Sequence, residues 1–144
     1  QRTGSFKIRG AYNRLRLLSE REKAQGVMTV SAGNHAQGVA LAASLVDTRA
    51  VVFMPETASL KKIQATRRYG AEVICRGGHF DEAHQAALAW QAENGLTFMS
   101  DKSSSGALYG SPIMKSADEI FAWIGDEGAR KPFRERKQVK GGPR

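Results

Sequence analysis

The chain has 144 residues, of which 41% are hydrophobic and 25% are charged, a composition typical of one folded globular domain rather than of a disordered or fibrous protein. No run of residues approaches the roughly 18 apolar positions of a membrane-spanning helix, so we expect no membrane partner. The single cysteine, Cys75, excludes an internal disulfide and a cysteine-based metal site. The first residues contain neither an initiator methionine nor a signal-peptide pattern, so we expect the middle of a longer protein.

The formal net charge of +8 comes mostly from the C-terminal end. Residues 130–144 carry seven Lys and Arg side chains against one acidic residue, Glu135, and the rest of the chain is therefore nearly neutral. A basic tail can bind nucleic acid, but a solvated chain end is the commoner interpretation. We therefore expect no nucleic-acid partner.

Helical and strand-like patterns alternate along the first two-thirds of the chain. Apolar residues at helical spacing predict a helix over residues 8–22. The charged segment from residue 19 either prolongs this helix or links it to Gly26, which is a typical helix stop. The remaining elements follow in order: strands over residues 27–30, 49–54, 71–75 and 96–99, and helices over residues 34–45, 59–69 and 79–94.

This alternation leaves no room for hairpins and predicts right-handed βαβ crossovers. The predicted fold is α/β, with a four-stranded parallel sheet between two helical layers, a three-layer αβα arrangement. The apolar run over residues 49–54 is typical of a parallel strand that is covered on both faces. Because ligands of such sheets bind beyond the carboxyl ends of the strands, the turn after residues 27–30 is the first candidate site.

That turn reads Ser31-Ala32-Gly33-Asn34-His35-Ala36-Gln37-Gly38 and leads into the predicted helix over residues 34–45. The first N–H groups of a helix have no internal partner and lie at the positive end of its dipole, so they attract anions. Ser31 and Asn34 add polar side chains, and Gly33 allows a tight turn close to a ligand. The stretch indicates a carboxylate or phosphate site, although an ordinary capped turn explains it equally well by itself.

A second motif, Thr3-Gly4-Ser5-Phe6-Lys7-Ile8-Arg9-Gly10-Ala11, lies upstream. A lysine at a helix start opposes the helix dipole, which favours its neutral amine. A neutral amine is the form that makes a Schiff base with an aldehyde cofactor. For a single lysine, a surface residue beside a core phenylalanine is the commoner interpretation.

Together the two motifs resemble the pyridoxal-phosphate enzymes of the tryptophan synthase β family, known as fold type II, and most of all the threonine/serine dehydratases or threonine ammonia-lyases. The similarity covers roughly residues 2–98. Weaker matches lie at Val52-Phe53-Met54-Pro55, Lys61-Lys62, Tyr69-Gly70-Ala71-Glu72-Val73 and Gly78-His79-Phe80-Asp81-Glu82-Ala83. The resemblance implies that residues 1–25 are a segment of the larger domain carrying the Schiff-base lysine. Residues 26–99 would be the small α/β domain, with most of the larger domain absent.

The resemblance also implies roles for the motif residues. Lys7 would bind pyridoxal 5'-phosphate as a Schiff base and then remove the Cα proton of the substrate. Phe6 would pack near the cofactor ring, and Asn34 would bond its phenolic oxygen. The substrate carboxylate would be held by four residues: Ser31, Gly33, Asn34 and His35. The implied reaction is α,β-elimination, which converts L-threonine or L-serine into a 2-oxo acid and ammonia.

Two further expectations follow from the resemblance, and a third follows from the spacing of the histidines. The full-length protein would be a cytoplasmic homo-oligomer acting on a small amino-acid substrate. Related serine racemases carry a serine at the position of Ala32, and an alanine there favours elimination over racemisation because it has no exchangeable proton. The three histidines lack the spacing of a metal site, so no metal is expected: His35, His79 and His84.

Past residue 99 the resemblance fails. Residues 100–110 have the composition of a flexible linker, residues 116–124 predict a short amphipathic helix, and a basic tail follows. Neither the glycine-rich loop that would hold the cofactor phosphate nor a partner for its pyridine nitrogen is recognisable. The alternative is therefore a non-catalytic fragment or paralogue that keeps the small-domain fold.

Overall fold

The computed structural model describes residues 3–100, so the predicted linker, the helix over residues 116–124 and the basic tail lie outside the described residues. The described elements are α1 (Lys7–Arg16), α2 (Glu20–Gln25), β1 (Val27–Val30), α3 (Asn34–Leu45), β2 (Ala50–Met54), α4 (Leu60–Arg68), β3 (Glu72–Cys75), α5 (Phe80–Asn94) and β4 (Thr97–Phe98). In this part of the chain, no helix combines the length and the apolar character needed to span a bilayer.

The four strands form one parallel sheet in the order β3-β2-β1-β4. Val27 pairs with Ala50 on one side and with Thr97 on the other, and Val51 pairs with Glu72. Every residue of the two central strands, β1 and β2, is buried, as expected where helices cover both faces. The predicted four-stranded parallel sheet is confirmed.

Side chains of the central strands alternate between two cores, because successive residues of a strand point to opposite faces. Val27 and Val52 belong to the core shared with α1, α3 and α4. Met28 and Phe53 belong to the core under α5, where the Phe53 ring lies 5.8 Å from that of Trp90. Helix α1 packs mainly against α3, and helices cover both faces of the sheet, which confirms the three-layer arrangement.

The helix predicted over residues 8–22 is wrong as one element, because α1 ends at Arg16 and α2 begins at Glu20. Ser19 caps α2 by a reciprocal arrangement. The Ser19 Oγ atom accepts from the Glu22 N–H at 3.3 Å, and the Glu22 Oε2 atom accepts from the Ser19 N–H at 2.8 Å. This capping box begins a new helix, and its signature, Ser followed three residues later by Glu, is present in the sequence. The other predicted elements agree within one or two residues at each end.

Candidate active site

The turn between β1 and α3 lies at the carboxyl edge of the sheet. Its first residue, Ser31, donates its N–H to the Phe53 carbonyl on β2 at 3.0 Å. Gly33 is the N-cap of α3 and supplies no side-chain cap, and the first turn of α3 contains no acidic residue. The positive end of the α3 dipole is therefore not neutralised by its own residues and is suited to an anion such as a carboxylate.

Two predicted carboxylate-binding side chains differ in their surroundings. Ser31 is buried, and its Oγ atom accepts from the Gly33 N–H at 3.2 Å, so the hydroxyl shapes the turn and keeps its own proton available to donate. Asn34 is exposed on the first residue of α3. A ligand approaching the helix end can therefore reach the Asn34 side chain directly.

The backbone of Lys7 lies against the same helix. A Cβ atom placed on Gly38 of α3 would lie 3.1 Å from the Lys7 carbonyl carbon, 3.1 Å from the Ile8 nitrogen and 3.3 Å from the Lys7 Cβ atom. Only a residue without a side chain allows α1 to begin this close to α3. The contact places Lys7 about one helical turn from the anion-binding end of α3, since Gly38 follows Asn34 by four residues.

Lys7 itself is half-buried at the first residue of α1. Its N–H donates to the Ser5 Oγ atom at 3.2 Å, which anchors the start of the helix. Its Nζ atom lies 5.9 Å from the centre of the Phe6 ring, and Phe6 is 58% exposed. The structure therefore sets Lys7, beside Phe6, against the helix that follows the turn after β1, while the catalytic roles of these residues stay predictions.

The ring of His35 contacts the residue that follows β4. It is buried, and its Nε2 atom lies 3.2 Å from the Met99 carbonyl oxygen just past β4. The Thr29 hydroxyl donates to the same oxygen at 2.7 Å. The main chain of His35, at the start of α3, is the part of this residue that suits the predicted carboxylate site. No motif marks Thr29, although a threonine inside an apolar strand signals a buried hydroxyl that needs a partner.

The Gly77-Gly78 pair, the other glycine-rich turn of the described residues, is a structural turn. The Gly78 N–H donates to the Glu82 carboxylate at 2.6 Å, and a Cβ atom on Gly77 would lie 2.5 Å from the Glu82 Cβ atom. Because a carboxylate already occupies this donor, the turn does not offer a phosphate site. Within residues 3–100, no three His, Cys, Asp or Glu side chains are grouped so that they could hold a metal ion.

Comparison with known proteins assigns the chain to a family. The family model described as "Pyridoxal-phosphate dependent enzyme" matches residues 1–126. The chain belongs to this family. This confirms the family that the two motifs predict and, with it, pyridoxal phosphate as the family's cofactor.

Individual relatives are similar over the same region. An L-threonine ammonia-lyase of Thermotoga maritima is 56% identical over 99 residues, which are 69% of this chain and 25% of that protein. A catabolic L-threonine dehydratase of Staphylococcus aureus is 50% identical over 99 residues, 69% of this chain and 29% of that protein. The chain thus spans between a quarter and a third of the length of these relatives.

Solved structures show the same fold. Threonine deaminase isoform 2 of Solanum lycopersicum, in its processed form, matches with a TM-score of 0.67 and 47% identity over 69% of this chain and 29% of that chain. Maize serine racemase matches with a TM-score of 0.65 and 34% identity over 68% of this chain and 30% of that chain. Dehydratases and racemases therefore share this fold, and particular residues must distinguish them.

Proposed function

We propose that the full-length protein carrying this segment is a pyridoxal-phosphate-dependent threonine/serine dehydratase, which converts L-threonine or L-serine into a 2-oxo acid and ammonia. The contact of the Lys7 backbone with Gly38 carries the proposal, because it sets the segment that bears the Lys7 amine against the helix whose first turn suits an anion. The names of the relatives, L-threonine ammonia-lyase and L-threonine dehydratase, support the choice of reaction.

The described residues fit the reactive end of the cofactor. When bound, pyridoxal phosphate withdraws electrons from the substrate and makes its Cα proton acidic. Lys7 would hold the cofactor through its Nζ atom, Phe6 would pack near the ring, and Asn34 would bond the phenolic oxygen. Lys7 Nζ is also the group that would take the Cα proton, and its half-buried position limits competition from water.

The end of α3 would bind and orient the amino-acid substrate. The N–H groups of Asn34 and His35 and the Ser31 hydroxyl would hold its carboxylate, and the helix dipole would favour the negative charge. The Gly33 N–H donates to the Ser31 Oγ atom at 3.2 Å, so Gly33 would contribute by letting the backbone come close to the ligand. Holding the carboxylate fixes the Cα atom relative to Lys7, and such positioning contributes a large part of many enzymatic rate enhancements.

Ala32 supports elimination over racemisation. Racemisation needs an acid on the face of the substrate opposite Lys7 to return a proton to Cα, and the Ala32 methyl group cannot supply one. The proposal also includes a cytoplasmic, homo-oligomeric full-length protein without nucleic-acid or membrane partners. Cell fractionation and size-exclusion chromatography with light scattering would test that part.

The test uses the complete reading frame that contains this segment. The purified protein, supplied with pyridoxal phosphate, should form 2-oxobutanoate from L-threonine or pyruvate from L-serine. Lys7→Ala should lower turnover by about 10²–10⁴-fold or more, the range for a positioned acid–base group. Lys23→Ala is the matched control, because the Lys23 ammonium pairs with exposed Glu20 on α2. A wild-type protein that binds cofactor but forms no 2-oxo acid would favour the non-catalytic paralogue.

A further inference from the structure

A buried cluster, the Met99 clamp, lies directly beneath the candidate carboxylate site. It consists of Thr29, His35 and Met99. The Met99 carbonyl oxygen lies 2.7 Å from the Thr29 Oγ1 atom and 3.2 Å from the His35 Nε2 atom. The exposed fractions are 0% for Thr29 and 4% for both His35 and Met99. Two buried side-chain donors therefore converge on one backbone acceptor.

The clamp connects three elements that are distant in sequence. Thr29 lies on β1 two residues before the turn, His35 is the second residue of α3, and Met99 follows β4. Strand β4 has only two residues in register with β1, and its exit is further tied by the Met99 N–H, which donates to the Met28 carbonyl at 2.7 Å. The His35 side chain thus ties the first turn of α3, and the Thr29 side chain ties β1, to the exit of a short edge strand.

The chemistry of the acceptor constrains the His35 ring. A carbonyl oxygen only accepts, so Nε2 must carry the proton and donate it. The bond from Nε2 to Met99 restricts the orientation of the His35 ring and, through it, the backbone of the first α3 turn. Amide groups that bind an anion do so most strongly when their direction is fixed before the ligand arrives.

We propose that Thr29 and His35 are positioning residues, which orient the amide groups of the first α3 turn for the substrate carboxylate through their shared bond to Met99. Neither side chain touches the substrate in this assignment. The consequence for catalysis rests on the proposed dehydratase function, whereas the consequence for the rigidity of the turn does not.

The kinetic test compares three threonine variants of the full-length protein. Thr29→Val keeps the shape of the side chain and removes the donor, so KM for the amino acid should rise about three- to tenfold, the effect of one hydrogen bond, with a smaller change in kcat. Thr29→Ser restores the hydroxyl and should restore KM. Thr66→Val is the matched control, because Thr66 is equally buried and donates to the Lys62 carbonyl at 2.9 Å on α4. Its KM should equal that of the wild type.

A second measurement does not depend on activity. Hydrogen–deuterium exchange should become faster over residues 31–38 in Thr29→Val than in the wild type, and it should be unchanged there in Thr66→Val. If Thr29→Val fails to fold, His35→Gln, whose amide can donate in place of Nε2, and His35→Leu, which cannot donate, give the same comparison. His35→Leu alone should show the faster exchange and the higher KM.

The outcomes separate the two proposals. Unchanged exchange over residues 31–38 in the donor-less variants would overturn the clamp, and so would faster exchange with an unchanged KM in an active enzyme. A wild-type protein without turnover would refute the dehydratase function alone, and the exchange measurement would then decide whether the clamp orients the turn.

Discussion

At the scale of single residues, the absence of a side chain at Gly38 sets how closely α1 approaches α3. Gly38 allows the first residues of α1 to lie against α3, with the Lys7 carbonyl carbon 3.1 Å from the place where a Cβ atom would be. Such contacts are tighter than protein interiors normally accept, and a methyl group there must displace its neighbours. The position of Lys7 therefore depends on the absence of a side chain at Gly38.

Gly38→Ala should impair catalysis more than stability. Overpacking costs about 1–3 kcal/mol, and the better helix propensity of alanine offsets about 1 kcal/mol of this. A displacement of Lys7 by a few tenths of an ångström should lower kcat about tenfold, since about 1 Å can cost 10²-fold. The measurements are urea unfolding and turnover in the full-length protein.

Gly95→Ala is the control for this prediction. Gly95 has φ 69° and open space around its Cα atom, so an alanine there should cost about 1–2 kcal/mol through the left-handed backbone without touching Lys7. Equal losses of kcat in the two variants would mean that Gly38 acts only through stability.

The residue at position 32 should determine whether the substrate undergoes elimination or racemisation. The wild-type full-length protein, incubated with L-serine, should form pyruvate with little D-serine, because a missing acid–base group typically costs about 10²–10⁴-fold in rate. Ala32→Ser should gain D-serine formation. Chiral chromatography of serine and a coupled pyruvate assay would follow both products. D-serine formed by the wild type at a rate comparable to pyruvate would contradict the prediction.

At the scale of secondary-structure elements, the stability of helix α2 depends on its N-cap, Ser19, because none of the helix residues is buried. Ser19→Ala should destabilise α2 by about 1 kcal/mol, the usual effect of losing a serine cap. Amide exchange over residues 20–25 would measure this local opening. Ser59→Ala is the matched control, because Ser59 precedes α4 but makes no capping bond. A similar destabilisation of α4 in Ser59→Ala would show that the effect of Ser19→Ala does not come from the capping hydrogen bond.

The same cap predicts a dependence on pH. The Ser19 hydroxyl, and next the Ser19 N–H, lower the pKa of Glu22 below its ordinary value of 4.5. A carboxyl with a lowered pKa in the folded state stabilises α2 above pH 4.5, and this contribution is lost as the pH falls through the lowered value. An NMR titration should show a higher midpoint for Glu22 in Ser19→Ala, and an unchanged midpoint would exclude the capping bond as its cause.

At the scale of the whole molecule, we expect the 144-residue chain by itself to bind pyridoxal phosphate weakly. A phosphate needs several charge-assisted hydrogen bonds, each contributing about 1.5–3 kcal/mol, and the one glycine-pair turn described here already donates to Glu82. Affinity should therefore lie several powers of ten below that of the full-length protein. Borohydride trapping at Lys7 with micromolar cofactor would measure it, and near-stoichiometric labelling of the short chain would refute the prediction.

The pattern of the chain predicts most of the fold. Continuous apolar runs mark the buried strands, and helical spacing marks the helices, because both arise from neighbouring residues and the layer that each must cover. The break between α1 and α2 is the main error, since apolar spacing continues to Leu18 and hides the cap at Ser19. The two motifs also predict the family and its cofactor, which the match over residues 1–126 confirms.

By itself, the sequence determined the alternation of strands and helices, the parallel sheet and the residue types of the candidate site. Only the tertiary structure decided that Gly38 lies against Lys7, that the His35 ring bonds Met99 beneath the turn, and that Thr29 shares that bond. Residue types and their periodicity determine local structure, over one element of secondary structure at a time. These contacts join residues up to 70 positions apart, and their geometry exists only once the sheet and its helices have packed.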